Sequence, residues 1–425
     1  MSSTKGRRQD IYTNLFNNSS DINNVNYLRD GSAIPNSSQL LNTINDRTAS
    51  VYSLNTVFIL PVSKGKWEIG SKLSWLNNEN TVALYRGAEK KMDSTNTNTF
   101  IVQEHIQALF FNYNRKLSKK LEFQVGVRGE YTQQMAKSEG LQHLLKQSYF
   151  SYFPSGFIKY AYNANNVFSF SYGRRFNRPN FGSLNPFRIY QNYFSYTEGN
   201  PYLKPYYSNN FEITHTYKSA LYYSLSFSSR RNAIGTLNIV EDNNSNVQVA
   251  RPYNFMSAED YGLTIGESFD KFKWLSSSNE FSLYYSSSHS SSTITAPSLS
   301  GWGSNFRSSN SIFLNKNRTL VAGIDLLYQG GDLTGISRNK HYYFLDLAFR
   351  YRIPKKQLQV SINARDILNS KNIVWSETVN GIVRNYFVNN NSRRLSFSLN
   401  YSFGNNKVRK ANPYSTSGSE QGRVN

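Results

Sequence analysis

An all-β fold, a transmembrane antiparallel β-barrel, is predicted by three features of this 425-residue sequence. Apolar and polar residues alternate with period two over stretches of about nine to eleven residues, the length a tilted strand needs to cross a bilayer. Short and long polar links take turns along the chain, as they do when tight turns form one rim of a barrel and long loops the other. The composition is rich in Tyr (31) and Phe (28), poor in Met (4) and free of Cys, and aromatic side chains suit a pleated surface. Mean hydropathy is -0.57. No run of about 18 apolar residues offers a helical span. A barrel also averages polar, because its strands show every second residue to the lumen.

The elements follow in order. Residues 1–50 hold one residual strand with its loop, and the barrel occupies residues 51–403. Its first strand starts at Val51–Leu60. In 121–131, Leu121, Phe123, Val125, Val127 and Tyr131 share one face, while Glu122, Gln124, Arg128 and Glu130 share the other. Val167–Arg174 rises and Ser208–Tyr217 returns. Leu345, Leu347, Phe349, Tyr351 and Ile353 alternate with Asp346, Ala348, Arg350 and Arg352, and the last strand is Arg394–Phe403.

Short links fall at Pro61–Lys66, Asn114–Lys120, Asn163–Asn166, Lys218–Ala220, Asp270–Lys273, Asn315–Arg318 and Pro354–Lys356. The long ones cover 77–98, 132–148, 174–207, 232–250, 287–303, 331–339 and 367–391. Counting spans gives about 16 strands, with long loops outside and a polar periplasmic tail over 404–425. Trp67, Trp75, Tyr113, Tyr131, Tyr172 and Phe403 fall at strand ends, where an interfacial aromatic girdle belongs. Alternation alone leaves open whether the apolar face meets lipid or a core.

The formal charge of +21 raises the question of a polyanion partner. Its basic residues are scattered, with short clusters at Gly6–Arg8, Lys119–Lys120 and Lys355–Lys356, whereas a nucleic-acid groove concentrates them. Met1–Asp10 lacks the apolar core of a secretory signal. His105, His143, His215, His289 and His341 show no metal-ligand spacing, and His105 and His341 fall at lumen-facing or interfacial places. Gly301, Gly303, Gly330 and Gly331 read as loop glycines, and Ser286–Ser292 as a serine-rich loop tip. No nucleophile, phosphate-loop or dinucleotide motif is present. Neither a catalytic role, a metal nor a cofactor is expected. Glu104, Glu122, Arg128, Glu130, Asp346, Arg350 and Arg352 take polar strand phases and read as a hydrated wall.

Several motifs occur together in order. FIVQEHIQALFFNYNRKLSKKLEFQVGVRGEYT at 100–132, FPSGFI at 153–158, YGRRFNRPNFGSLNPF at 172–187 and EGNPYLKP at 198–205 are joined by YSLNTVFILPVSKGKWEIGSKLSW at 52–75 and RRLSFSLNYSFG at 393–404. They resemble the outer-membrane β-barrel family of Bacteroidetes-type bacteria, related to the C-terminal barrel of TonB-dependent receptors. The resemblance spans roughly residues 50–404.

The resemblance implies a barrel of 22 strands when complete, placed in the outer membrane and preceded by a signal peptide, often a regulatory-like domain, and a plug. Neither a plug nor a TonB-contacting box is recognised here, so the chain is read as an N-terminally truncated receptor or one whose start is set late. The resemblance further implies uptake of a small-molecule, peptide or glycan ligand, with the TonB complex as partner only if a plug exists. Outer-membrane lipid and lipopolysaccharide are the other partners expected. No nucleic acid is expected.

The proline-rich stretch 174–207 is read as an external loop, and with 232–250 as the main place for ligand contact. Arg174, Arg175, Arg178, Asn185, Tyr190, Tyr196 and Glu198 are the candidate ligand-binding residues. The three arginines are expected to bond carbonyls or carboxylates such as Glu198 at the rim while stacking on Tyr and Phe. Two alternatives stay open: a structural or adhesive barrel without transport, and a soluble basic protein that binds nucleic acid by stacking.

Overall fold

The computed structural model describes residues 5–24, 39–87, 89–138, 143–192, 195–240, 247–270, 272–354, 357–379, 381–389 and 391–403. The expected tail over 404–425 lies outside the described residues. The chain forms β1 (Lys5–Asn24), β2 (Gln39–Val62), β3 (Gly65–Arg86), β4 (Lys91–Met92), β5 (Asn98–Lys116), β6 (Leu121–Ser138), β7 (His143–Ala161) and β8 (Asn166–Asn177). A short helix, α1 (Phe181–Leu184), precedes β9 (Ile189–Asn192), β10 (Ser195–Thr197), β11 (Tyr206–Tyr217), β12 (Leu221–Val240), β13 (Gln248–Phe269), β14 (Leu275–Ser290), β15 (Ser298–Phe313) and β16 (Leu320–Gln329). Last come β17 (Asp332–Thr334), β18 (Ser337–Asn339), β19 (Tyr342–Ile353), β20 (Leu358–Arg365), β21 (Asn372–Val379), β22 (Ile382–Asn389) and β23 (Arg394–Tyr401).

Sixteen long strands form one up-and-down antiparallel meander, in the order β1, β2, β3, β5, β6, β7, β8, β11, β12, β13, β14, β15, β16, β19, β20 and β23. The expected count holds, and among the described residues no ladder joins β1 to β23. The predicted short links at Pro61–Lys66, Asn114–Lys120, Asn163–Asn166, Lys218–Ala220 and Asn315–Arg318 lie at tight turns on one rim, while residue 271 of the Asp270–Lys273 link and most of Pro354–Lys356 lie outside the described residues. Their chemistry is local. Asn163 Oδ1 accepts the N–H groups of Asn165 and Asn166 at 2.9 Å each, and Asn315 Oδ1 accepts that of Thr319. Lys218 and Ser219 take φ of 50° and 54°, the double left-handed turn that matches strand twist.

Exposure settles which way the alternation faces. Val125 and Val127 on β6, Leu109 and Phe111 on β5, and Leu395, Phe397 and Leu399 on β23 are all exposed, while Glu104 and Glu130 are buried. A water-soluble fold would reverse this. The apolar side is therefore the lipid side, and it ends in aromatics. Trp67 stacks on Tyr113 at 4.3 Å near the tight-turn rim, and Trp75, Tyr131, Phe150 and Tyr152 are exposed above. From Leu121 to Tyr131 the rise is about 33 Å along the strand, which a tilt near 40° reduces to about 25 Å of height.

The strands are longer than predicted. β6 continues seven residues past Tyr131 to Ser138, and much of the expected long links at 77–98, 132–148, 232–250 and 287–303 is strand. Gly301 and Gly303 sit inside β15 rather than in a loop. A Cβ at Gly303 would meet the Tyr284 ring at 2.4 Å, so this glycine lets a cross-strand aromatic lie flat on the sheet. Ser286–Ser290 likewise belongs to β14.

The phase of alternation inverts where the strands leave the lipid belt. On β5 the outward residues change from Phe111 and Leu109 to Gln107, His105 and Gln103, while inward Ile106, Val102 and Phe100 are buried. The outward polar residues continue onto β6 and β7, since His105, Gln133 and Ser148 share one rung. Inward apolar residues at this height need a partner inside the barrel.

Candidate functional site

That partner is the segment between β8 and β11. Phe181, Leu184 and Leu203 pack into one buried cluster with Ala49, Val51, Leu76, Phe100, Val102, Ile106 and Ala136, and Ile234 of β12 packs against it. The stretch expected as an external loop thus folds inward across the lumen. It touches β2, β3, β5 and β6 on one side and β12 on the other.

Its two signature motifs hold each other. Asn180 caps α1 by accepting the Ser183 N–H at 2.6 Å. The N–H of Gly199 donates to the Asn185 carbonyl at 2.8 Å, and that of Asn200 to the Ser183 carbonyl at 2.7 Å. A Cβ on Gly199 would lie 2.4 Å from the Asn185 carbonyl oxygen. Only glycine permits that approach. Asn185 is buried, and its Oδ1 accepts the Phe187 N–H at 3.2 Å.

Polar bonds fix the segment to the opposite wall. β10 adds in parallel to β13. Glu198 receives Arg251, with Arg188 at 3.5 Å on its other oxygen. Asn254 receives the Lys204 N–H at 2.8 Å and donates to the carbonyls of Lys204 and Asn232.

The arginines divide between the two faces of the wall. Arg178 reaches inward, donating to Glu130 Oε2 at 2.7 Å and Thr132 Oγ1 at 3.1 Å, with its guanidinium 4.5 Å over Phe176. Arg128 holds the other Glu130 oxygen at 2.6 Å. Arg174, where the predicted strand ended, and Arg175, expected in the loop, both lie within β8, which runs on to Asn177. Arg175 is exposed, opposite buried Ser208. Arg174 shares the outward phase of Tyr172, Phe170 and Phe168, and its guanidinium lies 4.4 Å from both the Tyr152 and Tyr207 rings. The predicted stacking is present at Arg174 and Arg178, whereas Glu198 pairs with Arg188 and Arg251 instead of the three arginines. Tyr196 is buried under Arg188, and half-buried Tyr190 lies between Tyr196 and Arg86.

Arg174 sits where the wall parts. β7 pairs with β8 only from Ser155↔Gly173 to Ala161↔Val167, although both strands run on. The ladder stops beside Pro154, which has no N–H to donate, whereas the β6–β7 register passes through it unshifted. Phe176, Tyr149, Phe153 and Tyr207 fill the gap, and Tyr207 Oη lies 2.7 Å from Ser151 Oγ.

Two strands along from β8, the outer loops line a cavity of about 380 Å³ against β12 and β13. β17, β18, β21 and β22 form a separate four-stranded sheet. Its Glu377 receives Asn238 Nδ2 and Tyr386 Oη at 2.8 Å each, while Arg384 donates to the Asn238 carbonyl at 2.7 Å. Arg230, Phe255, Met256 and Ile336 complete the lining. Asn238 falls in the 232–250 stretch expected to meet ligand, but none of these residues was singled out from the sequence. Asn238 and Glu377 are 139 positions apart, and no local pattern joins them. Among the described residues no cluster of three His, Cys, Asp or Glu is placed to hold a metal.

An apolar belt facing outward, a polar lumen and a chain segment folded into it define an outer-membrane β-barrel. Residues 9–401 match the outer membrane protein beta-barrel family, and the chain belongs to it. No curated protein matches the chain.

Among solved structures, the ferripyoverdine receptor of the Pseudomonas aeruginosa outer membrane superposes with TM-score 0.58 at 14% identity, covering 93% of this chain and 54% of that one. The ferric yersiniabactin uptake receptor FyuA of Yersinia pestis gives 0.57 at 11%, with 93% and 60% covered. The copper transporter OprC gives 0.58 at 13%, with 93% and 63% covered. The chain thus spans little more than half the length of these structures, and at such identities the likeness is one of fold. The outer membrane is where this protein resides.

Proposed function

We propose that the barrel is the wall of an outer-membrane uptake receptor for a small-molecule, peptide or glycan ligand. The observation that carries this reading is the cavity against β12 and β13. Arg230, Asn238 and Glu377 offer charge and hydrogen bonds beside Phe255, Met256 and Ile336, the mix that orients a bound solute. Of the residues expected to bind ligand, exposed Arg175 and half-buried Tyr190 are the ones left to meet it, while Arg178, Asn185, Tyr196 and Glu198 hold the inward segment. Coupling to the TonB complex is proposed for a form that carries a plug. No catalytic step is assigned.

The test is energy-dependent accumulation of radiolabelled ferric siderophores, cobalamin and oligosaccharides by cells displaying the barrel within its complete protein. Loss of accumulation in Arg230→Ala and Glu377→Ala, with surface display intact, supports the reading. A barrel at the surface that accumulates none of them favours the structural or adhesive alternative.

A further inference from the structure

The outward face of β3, β5, β6 and β7 carries a groove of about 480 Å³ that the uptake reading does not use. Leu73, Leu109, Val127, Tyr131 and Phe150 line it, with Gly129 between them. A Cβ on Gly129 would lie 3.1 Å from Phe150 Cζ, so the missing side chain keeps the groove open. It lies at the top of the lipid belt, where Tyr131 and Phe150 share a rung just below Gln133 and Ser148.

Cations border it on one side. Tyr152 stands opposite Gly129 in register, and Arg174 lies over the Tyr152 ring. Exposed Lys146 follows two places above Ser148 on the Phe150 face, and exposed Arg231 stands opposite Tyr207. Among the described residues, no carboxylate lies within ion-pair distance of Arg174, and its Nε is buried without a hydrogen-bond acceptor. The outward carboxylates Asp46 and Glu79 belong to β2 and β3, across the groove from Arg174, and exposed Glu259 of β13 stands three strands away from it on the same rung.

An apolar slot at the outer waterline, edged by an aromatic-clamped guanidinium and a lysine, suits an acyl chain carrying a phosphorylated head. The planar guanidinium fork is the side chain best matched to phosphate. We propose that this face binds a phosphorylated outer-leaflet glycolipid of the lipid A type. The chain lies in the Gly129 groove, and the phosphate meets Arg174 and Lys146. The site rests on the outer-membrane placement alone, so a barrel that holds lipid A but accumulates no solute overturns only the uptake reading.

The experiment compares bisphosphorylated and dephosphorylated lipid A retained by the purified full chain, read by native mass spectrometry. The bisphosphorylated form is expected to be retained preferentially. Arg174→Gln and Lys146→Gln each lower its retention about fivefold, the amount expected for one interfacial cation. Gly129→Leu, by filling the groove, lowers both forms alike. Equal retention of the two forms by the unaltered chain, or undiminished retention in Arg174→Gln that still migrates as a folded barrel, overturns the proposal. Should Arg174→Gln fail to fold, the Lys146→Gln, Arg231→Gln pair decides in the same way.

Discussion

At the scale of single residues, the ion pair between Arg178 and Glu130 joins the inward segment to the wall. Both side chains are about nine-tenths covered, and leaving one charge unpaired at such a site costs about 3 kcal/mol. Arg178→Met is expected to lower barrel stability in urea titrations by less than that, because Arg128 remains to partner Glu130. The loop carboxylates behave differently. Burial pushes the Asp93 carboxyl upward, but hydrogen bonds from Arg86 and Asn96 outweigh it and hold the group below its ordinary 3.8. Asp366 is likewise held low by Ser392 and the Ser370 and Lys371 amides. A lowered folded pKa means stability that is full above the ordinary value and lost as pH falls through the folded one. Hydrogen exchange around Asp93 and Asp366 is therefore expected to rise only below about pH 4.

At the scale of elements, the inward segment depends on its apolar contacts. Leu184→Ala, at a fully buried position, removes about 2–5 kcal/mol, much of it from docking of the segment. Protease added outside intact cells is expected to cut 181–203 faster in that variant, with no change at β8 or β11.

The tight turns were legible because their chemistry is local: Asn163 and Asn315 close turns with their own side chains. The lipid-crossing halves of the strands were legible for the same reason, as Val125, Val127 and Tyr131 show period two directly. The upper halves were not. On β5 the apolar phase passes from Leu109 to Ile106, and a pattern that changes phase reads as no pattern. The inward fold of 178–205 was hidden too, because Phe181 finds Phe100 and Val102 only through the barrel. Arg174 was expected among aromatic rings at the rim, where a loop begins, but β8 runs on to Asn177 and carries the side chain on the outward face.

At the scale of the whole molecule, one face meets lipid and the other water. Val125→Arg, in the belt, is expected to cost about 2–4 kcal/mol, whereas Gln124→Arg, one residue away on the inner face, changes stability little. The midpoint of the heat-modifiable gel transition in reconstituted bilayers measures both. A shift of equal size in the two variants would contradict the assigned faces.

The phase inversion on β5 also pins the barrel's depth. Were the molecule to sink by one outward step, two residues along the strand, Gln107 would enter hydrocarbon. Were it to rise by as much, the lower belt would enter water. Either displacement is penalised from the first ångström, so the protein carries its own gauge of bilayer thickness. A membrane thicker or thinner than that gauge must stretch or thin around it, and such a barrel would be sorted to, and most stable in, lipid of matching span.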